Sequence, residues 1–118
     1  MVNWWRHLKY VALVLAVGAV AGCAHMPAGI AASSTPLEGR PYTVVGHAKQ
    51  TDSRIMLLGV LPVSGSNNTR EALNGAIRSR NGDALINITV EYVWHFWILW
   101  ASDITVVEGD VIKFDAQK

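Results

Sequence analysis

The 118-residue sequence is poor in cysteine and in charge. A single cysteine excludes an internal disulfide framework and any zinc centre built from several thiolates. The formal net charge is only +1, so the clustered basic surface that contacts nucleic-acid phosphates is missing. The longest apolar run, Val11–Ala21, is shorter than the roughly 20 residues that a membrane-spanning helix needs. These absences leave a chain with room for one small domain that does not bind nucleic acid.

Catalytic motifs are also missing. Ser64–Ser66 lacks the G-x-S-x-G pattern of a nucleophilic serine, and no glycine loop is followed by Lys-Ser or Lys-Thr. His25, His47 and His95 are scattered rather than spaced as metal ligands on one helical face. We therefore expect no enzymatic activity and no cofactor. The alternative is a periplasmic metal-binding or small-ligand-binding module, in which folding brings His47 and His95 together with a carboxylate.

The first 22 residues have the pattern of a secretory signal peptide. Arg6 and Lys9 lie near the start, the apolar run follows, and small residues end it. There are two alternatives: an ordinary signal peptide followed by a buried free cysteine, and a short helix of the protein core.

The residues Val20, Ala21, Gly22 and Cys23 resemble the lipobox of bacterial lipoproteins. That resemblance implies cleavage after Gly22, a diacylglycerol on the Cys23 thiol and an acyl chain such as palmitate on its amine. Because one acyl chain holds only marginally, the two or three chains make the attachment persistent. In such lipoproteins an Asp directly after the cysteine implies retention in the inner membrane. The residue here is Ala24, so the resemblance implies that the protein is anchored in the outer membrane and faces the periplasm.

After Cys23 the composition changes to that of a spacer. Ala24–Gly39 contains Pro27 and Pro36, several small polar residues and no apolar periodicity. We predict that residues 23–39 form a lipidated N-terminus and flexible tether, and that residues 40–118 form the domain.

Within the domain, one segment has the pattern of an amphipathic helix. Asn68 and Glu71 have the spacing of a capping pair, and apolar residues then fall on one face up to Arg80. Gly82 is expected to take the left-handed conformation that ends the helix.

The other patterns in the domain are those of strands. β-branched enrichment or alternation predicts strands at 42–50, 54–61, 84–93 and 104–114, with a turn at 51–53 and a bulge or tight turn near 108–110. Together these elements predict an α+β fold: a four- to five-stranded, mostly antiparallel sheet with one helix packed on one face, after the N-terminal signal helix.

Three stretches of the domain resemble small uncharacterised bacterial lipoproteins, including those called TRL-like. They are Leu57–Pro62 (LLGVLP), Gly82–Asn87 (GDALIN) and Thr105–Phe114 (TVVEGDVIKF). The resemblance supports the fold and implies no catalytic chemistry.

The segment from Tyr92 to Ala101 is unusually aromatic. If it were one continuous strand, alternation would put Trp94 and Trp100 on one face and Trp97 on the other, leaving both faces apolar. We consider three interpretations: core packing at a hairpin corner, an interface formed by Trp94, Trp97 and Trp100, or contact with the bilayer. The function predicted is that of a membrane-anchored, non-enzymatic envelope lipoprotein that acts by binding, structural support or self-assembly. Its expected partners are membrane lipid through acylated Cys23, and a second copy or another envelope protein.

Overall fold

The computed structural model describes residues 3–20 and 22–116 and has an α+β fold. The described residues form two helices and one antiparallel sheet of five strands, in the order β1-β4-β5-β2-β3. The predicted fold class and the antiparallel sheet are confirmed at this level. In chain order the elements are α1 (Trp4–Val20), β1 (Gly22–Ser33), β2 (Tyr42–Leu57), β3 (Leu61–Ser64), α2 (Thr69–Ser79), β4 (Ala84–Phe96) and β5 (Trp100–Phe114).

The N-terminal helix α1 contains residues 11–20 of the apolar run and is consistent with the helix expected there. Among the described residues, no helix combines the length and apolarity that crossing a bilayer requires.

The main core lies between α2 and the sheet. Alanines of α2, Ala72 and Ala76, are fully buried and allow the helix backbone to approach the strands closely. Val107 and Val111 of the central strand β5 meet them, since alternate residues of a strand share a face. The remaining core residues on this side are Ala48, Leu85 and Ile88, with Leu73, Ile77 and Val90 packed at the margin.

The predicted N-cap of α2 is confirmed, but its partner is different. The Asn68 side chain accepts a hydrogen bond from the Arg70 amide at 2.9 Å. The Asn68 amide donates to Asp52 of β2 at 2.5 Å, so this carboxylate takes the place expected for Glu71. The start of the helix is thereby fixed to the sheet rather than only to itself.

The end of α2 differs from the prediction by one residue. Asn81, with φ +52°, takes the left-handed conformation, and Gly82 follows it. The Asn81 and Gly82 amides donate to the carbonyls of Arg78 and Ile77, both at 3.1 Å, which is the Schellman arrangement. Gly82 is required for space instead, because a Cβ there would lie 2.1 Å from a methyl of Val111.

The opposite face of the sheet carries a smaller core near the start of β4. Coil residues from the 34–41 connection cover it, and the Arg40 guanidinium lies 4.0 Å above the Phe114 ring. This core consists of Ala84, Ile86 and Ile112, with Leu37 and Phe114 packed against it.

The structure corrects the predicted tether. Gly22–Ser33 is an edge strand that pairs with β4, with a bulge between Pro27 and Gly29. Its side chains are almost all exposed, so burial imposes no apolar alternation on the sequence. Proline is tolerated on an edge strand, where one side of the backbone needs no partner. The strand is therefore held by backbone hydrogen bonds that composition does not reveal.

One further prediction about the strands was wrong, and another was correct in position but not in the strand that carries the irregularity. The turn at 51–53 is absent, because β2 runs without interruption and pairs with β5 along its whole length. The bulge expected near 108–110 is present in the pairing of β4 with β5, but its extra residue belongs to β4 rather than β5. The irregularity lies in β4, where Asn87 (φ +51°) and Ile88 oppose the single residue Gly109. A Cβ on Gly109 would lie 2.8 Å from the Ile86 carbonyl oxygen, which explains the glycine.

Candidate functional site

One row of paired residues crosses all five strands near one end of the sheet. Cys23 of β1 pairs with His95, His95 with Ser102, Ser102 with Ile55, and Ile55 with Ser64. We call this the Cys23 row. It separates two regions of very different composition.

Beyond the Cys23 row, the sheet ends in two neighbouring hairpins that carry no charged residue. We call residues 56–63 and 96–101 the apolar tip; every one of them is an apolar residue, a proline or a glycine. On the other side of the row, the next pair of β2 and β5 is Arg54 and Asp103, which form an ion pair at 2.7 Å. Charge is thus absent from the two hairpins at this end of the sheet and begins immediately below the row.

The β4–β5 hairpin closes with two tryptophans. The Trp97 amide donates to the Trp100 carbonyl at 2.8 Å, and the Trp100 amide donates back at 3.1 Å. Their rings stack with centroids 6.1 Å apart, and Ile98 and Leu99 form the turn between them. Two-residue hairpin turns ordinarily use Asn, Asp or Gly, so this turn is not explained by turn propensity.

The β2–β3 turn is also built from apolar residues and glycine. Leu58 takes the left-handed conformation with φ +52°, which is unusual for a leucine, and Gly59 follows with φ +73°. A Cβ on Gly59 would lie 3.1 Å from the ring of Phe96, so the glycine lets this turn lie against the other hairpin. The Leu58 amide donates to the Leu99 carbonyl at 2.9 Å and joins the two turns.

The side chains of the apolar tip are largely exposed to solvent. Val60 is 74% exposed and Leu99 is 68% exposed, although both are large apolar residues. Leu57, Leu58, Leu61, Val63, Trp97, Ile98 and Trp100 are also exposed. Contiguous apolar surface of this kind indicates an interaction site, because water-exposed hairpin tips are normally polar.

The predicted interface residues do not act as one group. Trp97 and Trp100 lie together in the apolar tip, as described above. Trp94 lies below the Cys23 row, where its ring stacks on Phe96 with centroids 5.3 Å apart. The alternation expected for a continuous strand fails because β4 ends at Phe96 and the chain reverses.

Cys23 is exposed and lies at the edge of the apolar tip. Gly22 begins β1 opposite Phe96, and Val20 is the last residue of α1. Ala21 of the predicted cleavage motif lies outside the described residues. The wall of a cleft beside the tip combines Val17 and Gly18 of α1 with residues 97–100. The predicted lipidation site and the apolar tip therefore share one end of the molecule.

The other predicted ligands, His47 and His95, are not brought together. Their strand partners on β5 are Asp110 and Ser102, which are about 26 Å apart along the strand. In the part of the chain that the structure describes, no group of three or more His, Cys, Asp or Glu side chains is arranged to hold a metal ion.

His47 instead belongs to an exposed polar cluster. Its Nδ1 lies 3.0 Å from an oxygen of Asp110 and its Nε2 lies 2.9 Å from an oxygen of Glu108. Hydrogen bonds to Asp110 and then to Glu108 raise the pKa of His47 above its ordinary value. The same contacts with His47, helped by Lys49 and Asn87 respectively, lower the pKa values of Glu108 and Asp110. The ammonium of Lys49 lies 3.2 Å from Glu108 and adds a positive charge to the cluster.

Sequence reasoning missed the β2–β3 half of the apolar tip. The sequence predicts an apolar strand at 54–61 ended by Pro62, whereas the structure turns between Leu57 and Leu61, around Gly59. The signal for a turn was this glycine, and the surrounding apolar residues concealed it.

Comparisons of the chain with protein-family models, curated proteins and solved structures find no match.

Proposed function

We propose that this chain is a bacterial envelope lipoprotein, cleaved after Gly22 and acylated on Cys23. It is held at the outer membrane on the periplasmic side and acts without catalysis, by binding, structural support or self-assembly. The observation that carries the proposal is the order of a basic start, a short apolar helix, small residues and one cysteine. Its support from the fold is that Cys23 is exposed at the edge of the uncharged end of the sheet.

Loss of α1 on cleavage would leave α2 as the helix of the mature domain. We propose that α2 alone then covers one face of the sheet, through Ala72 and Ala76, and that the coil around Leu37 covers part of the other. The similarity to TRL-like lipoproteins in the stretch Leu57–Pro62 is part of the same proposal, since this stretch forms the β2–β3 turn of the apolar tip.

Metabolic labelling tests the proposal directly. The full chain is expressed in a bacterium fed with labelled palmitate, beside Cys23→Ala and a control, His25→Ala, which alters a neighbouring exposed side chain on the same strand. The parent and control chains should incorporate label and lose the mass of residues 1–22. The Cys23→Ala chain should do neither.

The informative readouts are label and mass rather than membrane fractionation, because an uncleaved chain would keep the apolar α1. Label in Cys23→Ala, or an unlabelled and full-length parent chain, would refute acylation at Cys23.

A further inference from the structure

We infer that the apolar tip docks into the interfacial region of the bilayer beside the acylated cysteine, so that the lipid surface is a partner of the folded domain itself. This inference rests on the proposed acylation of Cys23. It adds a second, non-covalent contact with lipid, made by the β2–β3 and β4–β5 turns.

The register of the sheet gives the depth of the contact. Ile98 and Leu99 lie three to four residues beyond the Cys23 row, which corresponds to about 10 Å along a strand. An acyl chain attached to Cys23 brings that row to the level of the lipid headgroups. The turns then reach the boundary between headgroups and acyl chains, where interfacial apolar segments are buried to roughly 5–10 Å.

The distribution of charge matches this depth. All residues of the apolar tip are uncharged, whereas the Arg54–Asp103 ion pair lies one residue below the Cys23 row, on the water side. A charged group one or two residues closer to the turns would have to enter the apolar layer. The sequence places none there.

Backbone groups in the two turns of the apolar tip already have hydrogen-bond partners within the protein. Unpaired amides and carbonyls are costly in an apolar environment. The reciprocal hydrogen bonds of Trp97 and Trp100, and the bond from Leu58 to Leu99, satisfy amides in both turns. The indole rings of Trp97 and Trp100 are apolar with one N–H donor, a combination that favours the membrane–water boundary.

A second copy of the chain is a less suitable occupant of the tip. Two tips meeting end to end would place both Cys23 residues beside the contact, with the two domains extending in opposite directions. Both anchors could not then enter one bilayer while both domains remain in water. The lipid surface is already next to the tip and requires no such rearrangement.

Site-directed fluorescence tests the inference on the cleaved and acylated protein in vesicles of phosphatidylethanolamine and phosphatidylglycerol. A cysteine is introduced by Leu99→Cys or, separately, by Val60→Cys, and labelled with a polarity-sensitive dye; acylated Cys23 has no free thiol to react. The control is Lys113→Cys, an exposed position near the far end of β5. Circular dichroism checks that each variant keeps the fold, and palmitate labelling checks that each is acylated.

The dyes at residues 99 and 60 should shift to shorter emission wavelength and lose most of their fluorescence when the vesicles carry a shallow nitroxide lipid. The dye at residue 113 should do neither. An acylated protein whose dyes at both tip positions stay in water overturns the docking inference and leaves the lipoprotein proposal intact. A blue shift without quenching by the nitroxide lipid also overturns it, because the tip is then covered by protein. Absence of palmitate from the parent chain overturns the proposed function instead.

Discussion

Replacing Leu58 with asparagine tests the conformation of the β2–β3 turn. Leu58 has φ +52°, and the left-handed conformation costs an ordinary L-residue roughly 1–2 kcal/mol. Asparagine tolerates this conformation much better. Leu58 is 57% exposed, so the change also removes about 1 kcal/mol of apolar burial, given about 1.5–3 kcal/mol for complete burial of such a side chain. The two effects nearly cancel, and Leu58→Asn should be close to neutral.

The matched control is Leu61→Asn in β3. Leu61 is 56% exposed, so the lost burial is the same, but it lies in a regular strand and its replacement relieves no strain. The control should therefore be less stable than Leu58→Asn by about 1 kcal/mol, or by about 4–8 °C in Tm for a domain of this size. Thermal unfolding of the full chain, followed by circular dichroism in a mild non-ionic detergent, measures the difference. Equal losses in the two variants would refute the assignment of strain to Leu58.

Three other changes probe the cap, a close contact and the polar cluster. Asp52→Ala should lower the free energy of unfolding by about 1 kcal/mol, because it removes the acceptor for the α2 N-terminus. The control Glu71→Ala should lower it by only a few tenths of a kcal/mol. Denaturant titrations measure both, and the reverse order would contradict the capping assignment. Gly82→Ala should lower the free energy of unfolding by about 1–3 kcal/mol, because the added methyl group clashes with Val111. The double variant with Val111→Ala should lose less than the sum of the two single variants. Strict additivity would argue against the contact. The stability lost in His47→Ala should be greatest between about pH 4.5 and 6.5. It should fade at higher pH, where the imidazole with its raised pKa finally deprotonates, and at lower pH, where the carboxylates with lowered pKa values become protonated; a deficit that does not change with pH would refute the ion pairing.

Where local chemistry determines the structure, the sequence was sufficient. The helix α2 begins after Asn68 as predicted, because the Asn68 side-chain cap and the apolar period are local in sequence. The strand β4 was predicted from the alternation of apolar and polar residues, although burial follows that alternation only near Ile88 and Trp94 is exposed.

The errors arise where tertiary contacts determine the structure. β1 has no apolar alternation because its side chains are exposed, and only its backbone bonds to β4 make it a strand. Asp52 was assigned to a turn because Asp favours turns, but pairing with β5 keeps β2 extended and leaves this carboxylate free to cap α2. The candidate site had the same limitation: Cys23 was found from its neighbours in sequence, whereas the row that joins it to both apolar turns exists only in the folded sheet.

The pairing of β1 with β4 has a consequence for how an acylated form would stand on a membrane. Cys23, which would carry the acyl chains, is itself part of the sheet, so there would be almost no linker between the lipid and the folded domain. The strands would stand upright, and α2, packed against the level of Ala48, would be held at a constant height of about 23 Å above the Cys23 row. A partner that contacts α2 would then have to come to that fixed height, because an acylated domain held in this way could not move outward to reach one farther away.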